Sequence, residues 1–191
     1  MTADTLTAPP LVEVENLQRV FRSGRRYGVG RFGFGRRLEC RAVDGVSLSI
    51  ARHETFGLVG ESGCGKSTLG KLVLDLLPPS AGRLTFDGQL PGDWGKQAFR
   101  RRAQLVFQDS LGALDPRQTI LAQVREPLDI HDEGPREDRA AEAARMLQEV
   151  GLGEAFHRRF PHQLSGGQQQ RAVIARALVL RPDFVVCDEP V

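Results

Sequence analysis

The sequence predicts an α/β fold in which a parallel-sheet core carries an antiparallel β subdomain at its start and a helical insert within it. Three observations carry this reading. Thr55-Phe56-Gly57-Leu58-Val59 is a short apolar run, followed by a Gly-rich turn and a helical segment from Lys66 to Leu77, which reads as strand, loop, helix. Phe184-Val185-Val186-Cys187 is uniformly apolar, as a parallel strand buried on both faces is. Between residues 109 and 163 strand patterns are absent and helical spacing takes over.

The 191 residues, 40% hydrophobic and 26% charged, suffice for one domain with a core and exclude global disorder. No run reaches 18 uncharged apolar residues, since Asp75 and Arg176 interrupt the best candidates, so no membrane span is expected. Met1 to Pro10 lacks the basic start and apolar run of a secretory signal, and a cytosolic protein is expected. Cys40, Cys64 and Cys187 are too few and too far apart for a disulfide framework or a zinc site. A net charge of +2 lacks the clustered excess that nucleic-acid binding needs. Only three of the 26 basic residues are Lys, so each Lys position is informative.

Taken in order, Leu11-Val12-Glu13-Val14-Glu15 and Val46-Ser47-Leu48-Ser49-Ile50 alternate as two half-buried antiparallel strands. Between them, Arg22 to Arg41 is rich in Arg and Gly and reads as a solvated loop; a dedicated anion or lipid-surface contact is the weaker alternative. The helix from Lys66 should stop at Pro78-Pro79. Arg83 to Phe86 and Gln104 to Phe107 read as further strands. In Arg136 to Val150, Ala140, Ala143, Ala144, Leu147 and Val150 recur at helical spacing, with Pro135 suited to the first turn and Gly151 to the end.

Three segments carry chemistry. In Gly60-Glu61-Ser62-Gly63-Cys64-Gly65-Lys66-Ser67 the glycines let successive N–H groups and the helix start face a phosphate, Lys66 adds a cation, and the Ser67 hydroxyl suits Mg²⁺. A ligand-free Gly-rich turn is the bland alternative. The apolar run ending in Asp188 and Glu189 offers a carboxylate that reaches Mg²⁺ through water and a second that orients or deprotonates an attacking water. Leu164-Ser165-Gly166-Gly167-Gln168 opens a helix that Ser165 can cap, with Val173, Ile174, Ala177 and Leu178 on its buried side. By itself that is an anion-competent helix start or a plain cap.

Leu164-Ser165-Gly166-Gly167-Gln168, about 100 residues beyond a phosphate loop, resembles the signature of ATP-binding cassette ATPases. The resemblance runs from about residue 11 to 191. It implies a P-loop NTPase core with a RecA-like parallel sheet, divided into 11–108 (β subdomain and phosphate-loop core), 109–163 (helical insert) and 164–191 (signature helix and Walker B strand). ATP would be held by Gly60, Ser62, Gly63, Cys64, Gly65, Lys66, Ser67 and Thr68. From a second subunit facing head to tail it would meet Ser165, Gly166, Gly167 and Gln168. Mg²⁺ would take Ser67, Gln108 and Asp188, with Glu189 and Gln108 catalytic. Phe21 resembles the aromatic that stacks on adenine and equally fits as strand-end core. Phe107-Gln108-Asp109 with Leu114-Asp115-Pro116-Arg117-Gln118-Thr119, the residues around Cys64, the long first loop and Cys187 to Val191 are similar to ATPase subunits of dipeptide and oligopeptide importers.

The resemblance implies the ATP-binding subunit of a peptide importer at the cytoplasmic face of the membrane. Its partners would be a second ATPase subunit, identical or different, permease subunits docking beside 109–130 and a separate solute-binding protein, with no nucleic acid. A full family member continues past Val191 with a Ser-Ala-Leu-Asp loop, further strands and a switch histidine. His53, His131, His157 and His162 all precede the last strand and are expected in surface or structural positions. A chain truncated after Walker B is therefore expected to be a weak or inactive ATPase of low stability. The alternatives are a non-hydrolysing fragment and a soluble ATPase of the same family not coupled to transport.

Overall fold

The computed structural model describes residues 9–27, 36–106 and 110–188. These form two compact units, one ending at Trp94 and the other beginning at Gly95.

In the first unit, strands β1 (Val12–Tyr27) and β2 (Arg36–Ile50) pair antiparallel, with Val12 opposite Ile50 and Val14 opposite Leu48. The alternation works as expected: Val12 and Val14 are buried while Glu13 and Glu15 are exposed. Helix α1 (Lys66–Val73) follows, then strand β3 (Ala81–Phe86), which joins the far side of β1 to give the order β2-β1-β3. Leu11, Val12, Val14, Leu17, Val43, Ile50, Leu84 and Phe86 of the sheet region and Leu69, Leu72 and Val73 of α1 are buried. Each such side chain is worth about 1.5–3 kcal/mol of transfer free energy. Trp94 closes the unit, its ring edge-on to Phe86 and its indole N–H donating to the Phe86 carbonyl at 3.2 Å.

Three expectations for this unit need correction. Thr55–Val59 is not a strand: the segment is irregular, and Val59 is 95% exposed. An apolar run becomes a central strand only when neighbours on both sides take up its N–H and C=O groups, and no described strand pairs with it. The Arg/Gly-rich stretch is not all loop, because β1 runs to Tyr27 and β2 starts at Arg36. Ladder pairing needs no apolar face, and the exposed pair Arg22–Glu39, opposite one another at 3.0 Å, suits it. Finally, α1 ends at Val73 rather than Leu77. Asp75 takes a left-handed conformation (φ 51°), and Asp75 N–H and Leu76 N–H return to the Leu72 and Lys71 carbonyls at 3.0 and 2.8 Å. That double bond pattern closes a helix before the residue preceding Pro78, which disfavours helical geometry, is reached.

The second unit opens with α2 (Lys96–Arg102) and strand β4 (Ala103–Val106). Then come α3 (Ser110–Ala113), α4 (Ile120–Ile130), α5 (Arg139–Glu149), α6 (Glu154–His157), a 3-10 turn at Pro161–Gln163 and α7 (Gly166–Leu178). Strand β5 (Phe184–Cys187) pairs parallel with β4, Ala103 opposite Phe184 and Val106 opposite Cys187. Its residues Phe184 to Val186 are half-buried and Cys187 is exposed, which corrects the expectation of burial on both faces: β4 is its only neighbour among the described residues. Phe107 lies outside the described residues. α5 starts at Arg139, after a turn closed by Asp138 N–H on the Pro135 carbonyl at 3.0 Å, so Pro135 precedes the helix instead of entering its first turn.

The core of this unit is helical. Ile120, Val124 and Leu128 of α4, Ala143 and Leu147 of α5 and Ala172, Val173 and Ala175 of α7 close over Val106, Leu114 and Leu152. Two buried polar side chains fix the connections. Gln123 accepts from Asp115 N–H at 2.8 Å and donates to the Asp115 and Gln118 carbonyls, both at 3.0 Å. Arg139 spans Asp129, Asp132 and the carbonyls of Glu133 and Gly134.

Candidate functional site

The Gly60–Ser67 loop belongs to the first unit. Its curl begins with Cys64 N–H on the Glu61 carbonyl at 3.3 Å. Gly65 has φ 101°, and a Cβ there would stand 2.0 Å from the Ala42 carbonyl oxygen, so no other residue fits. The Cys64 sulfur occupies the space beside Gly60. No side chain caps α1, whose first intrahelical bond is Leu69 N–H to the Gly65 carbonyl at 2.9 Å, and no acidic residue lies in its first turn. The amides ahead of Leu69 therefore have no intrahelical acceptor, and the positive end of the helix dipole is uncompensated. The Lys66 ammonium turns back over the loop and donates to the Gly60 and Glu61 carbonyls at 2.7 and 2.8 Å. The tight turn that Gly65 permits, a helix start without a side-chain cap and a folded-back cation together fit a polyphosphate. Ser62, Gly63, Cys64 and Ser67 are exposed, and Gly65, Lys66 and Thr68 half-buried.

Phe21 lies in the same unit, opposite Cys40. At 40% exposure it is not core, and the Arg19 guanidinium lies over its ring at 4.8 Å.

The second unit holds the signature. Ser165 caps α7 by accepting from Gln168 N–H at 3.4 Å, and Gln168 Oε1 accepts from Ser165 N–H at 3.0 Å, a reciprocal box. A Cβ on Gly166 or Gly167 would meet nothing within 4 Å, so both backbones face open space. At the end of β5, Asp188 N–H donates to the Val106 carbonyl at 3.1 Å and extends the parallel ladder by one residue. Its half-buried carboxylate stands just past a strand end. Gln108 and Glu189 lie outside the described residues. Phe21 and Gly60 to Thr68 thus belong to the first unit, and Ser165 to Gln168 and Asp188 to the second. Taken separately, the Ser67 hydroxyl in the first unit and the Asp188 carboxylate in the second are each of the oxygen-donor type that Mg²⁺ takes.

One residue next to the signature escapes sequence reading. Gln169 is buried, and its carboxamide donates to the Pro161 carbonyl at 2.8 Å and the Leu164 carbonyl at 3.3 Å. The available signal was its place on the stripe of Ala172, Val173 and Arg176, where a Gln is out of pattern.

The sequence profile of the ABC transporter family matches residues 43–191. A Brucella abortus (strain 2308) protein provisionally named for peptide import and ATP binding is 47% identical over 95% of this chain and 54% of its own length. The dipeptide transport ATP-binding protein DppF of Escherichia coli (strain K12) is 40% identical over 100% of this chain and 56% of its own. Among solved structures, the dimeric bacterial ABC transporter cassette MJ0796 superposes with a TM-score of 0.78 at 31% identity, covering 94% of this chain and 74% of that one. MJ0796 has also been solved as a post-hydrolysis dimer bound to ADP and Pi. This chain spans about half the length of the curated relatives it matches.

Proposed function

The chain belongs to the ABC transporter family, and from that membership we propose that it is the ATP-binding subunit of an importer of the oligopeptide and dipeptide class. The observation that carries the reading is the Gly60–Ser67 cradle, with its uncapped helix start and folded-back Lys66, in a chain 40–47% identical to proteins named for peptide import and transport.

In this reading Lys66 exchanges its two neutral carbonyl partners for charged phosphate oxygens, an ion pair and therefore a stronger contact. The amides that precede Leu69, with Gly63 and Gly65 shaping the turn, line the same phosphates. The Ser67 hydroxyl, the Asp188 carboxylate and Gln108 would hold Mg²⁺, which when bound neutralises charge on the phosphates. Phe21, exposed and covered by Arg19, is available to stack on a base. Ser165 and the Gly166 and Gly167 amides would bind nucleotide held by a second, head-to-tail subunit, in keeping with the dimeric cassette that this chain resembles. Glu189 would take the proton of the attacking water.

Permease subunits, docking beside 109–130, and a separate solute-binding protein complete the proposed assembly, with this subunit peripheral on the cytoplasmic face of the membrane. No described helix is long and apolar enough to cross a membrane.

The test is Mg·ATP calorimetry on the full chain, together with co-expression alongside peptide permease subunits. Binding that Lys66→Ala abolishes and Glu189→Gln preserves is expected, together with co-purification with the permease subunits. Absence of binding by the unsubstituted full chain, or co-purification with nucleic acid in place of a permease, overturns the reading.

A further inference from the structure

The segment that leads into the signature is held by three glutamine side chains. Gln163 Oε1 accepts from Phe160 N–H at 2.8 Å, Gln168 Oε1 accepts from Ser165 N–H at 3.0 Å, and Gln169 Nε2 donates to the Pro161 and Leu164 carbonyls at 2.8 and 3.3 Å. Gln169 differs from the other two in being only 4% exposed, and its own Oε1 is buried without a partner. A buried carboxamide oxygen left unpaired destabilises the fold, whereas an apolar side chain of the same length would pack beside Ala172 and Val173 without that penalty. Stability of α7 therefore does not account for a Gln here.

Its donors do account for it. The Ser165 cap on Gln168 N–H is long, at 3.4 Å, and too weak to fix the loop alone. Gln169 grips the carbonyl immediately before Ser165 and the one at the start of the 3-10 turn. This fixes the chain entering α7 and leaves the Ser165 hydroxyl only lightly engaged. Gly166 and Gly167, with open space before them, are thus carried on a rigid base.

We infer that Gln169 is the positioning residue of the signature: its buried carboxamide sets the orientation in which Ser165 and the Gly166 and Gly167 amides are presented to nucleotide on a partner subunit. The loop-setting half stands without nucleotide; the presentation half rests on the ATPase reading above.

Two measurements on the full chain need no nucleotide. In the unsubstituted chain the Gln169 carboxamide protons should exchange with solvent at least about 100-fold more slowly than those of an exposed Gln. In Gln169→Met, which keeps length and removes both donors, the N–H groups of Gln163, Leu164 and Ser165 should exchange at least about tenfold faster while the rest of α7 is unchanged. Rapid carboxamide exchange, or unchanged loop exchange in a folded Gln169→Met chain, overturns the inference. With nucleotide, Gln169→Met should keep the ATP affinity of the phosphate loop and lose about tenfold in ATP-driven association. A parallel loss of ATP affinity would mark a general structural defect and overturn it too. Failure of the unsubstituted chain to associate with ATP counts against the ATPase reading, and the exchange results then still decide the role of Gln169.

Discussion

The Arg176 guanidinium of α7 donates to the Glu126 carboxylate of α4 at 2.7 Å and to the Ala113 carbonyl, the last residue of α3, at 2.8 Å. One side chain therefore fastens three helices, and it does so on the helix that carries the signature. Both charged groups are about one-third exposed, so the ion pair is screened and worth at most about 1 kcal/mol, with the carbonyl bond adding a similar amount. Arg176→Met should lower unfolding free energy by about 1–2 kcal/mol in denaturant titrations. Arg176→Lys should recover only part of it, since a single ammonium does not reproduce the fork. A double-mutant cycle with Glu126→Gln giving a coupling far above about 1 kcal/mol would contradict the screened pair.

Two glycines of the phosphate loop separate backbone strain from steric conflict. Gly63 has φ 81° with nothing within 4 Å of where a Cβ would stand, whereas Gly65 combines φ 101° with a 2.0 Å approach to the Ala42 carbonyl. Gly63→Ala should cost about 1 kcal/mol, the left-handed penalty alone. Gly65→Ala should cost at least about 2 kcal/mol and remove nucleotide binding, since the contact is with backbone and cannot be relieved by a side-chain turn. Equal thermal shifts for the two variants would refute the difference.

Asp115 is held at a pKa of about 2, first by the Arg117 side chain bonded to its carboxylate and then by the Arg117 amide. Because the folded value lies below the unfolded value of about 3.9, the contribution of this group is complete above pH about 4 and disappears as pH falls towards 2. A carboxyl-carbon NMR titration should find the midpoint near 2, and Arg117→Gln should return it towards 3.9. A midpoint of 3.9 in the unsubstituted chain would show that the Arg117 contact is not formed in solution.

Arg139 ties together Asp129 (shared with Arg125), Asp132 and the Glu133 and Gly134 carbonyls in the described turn between α4 and α5. Replacing it with Met should open that turn locally. Amide exchange at 131–138 should rise by about tenfold while the α4 and α7 interiors stay protected. Uniform loss of protection across the second unit would instead make Arg139 a determinant of the whole core.

Much of the fold was legible where local chemistry suffices. The alternation of Val12 and Val14 with Glu13 and Glu15 gave the β1 register its inward face, and Ser165 as a cap gave α7 its start. Legibility failed where a long-range partner decides. Thr55–Val59 is apolar enough for a central strand, but a strand exists only with its neighbours. The end of α1 lay in a left-handed Asp75, which sequence ranks well below Gly for that task. Arg25 and Arg26 read as loop because ladder pairing leaves no trace in composition. At the candidate site the glycines and Lys66 announced the cradle, whereas Gln169 was hidden because its two acceptors are main-chain carbonyls, which every residue possesses.

The parked ammonium of Lys66 has a consequence for recognition. A flexible butyl arm in free solvent would surrender its rotational freedom when it met an anion, but here that freedom has already been given up to two neutral oxygens. Under the proposed nucleotide reading, selectivity would follow from an exchange reaction: an incoming group would have to outcompete a pair of backbone carbonyls, as a multiply charged phosphate chain would and a neutral sugar or a lone hydroxyl would not.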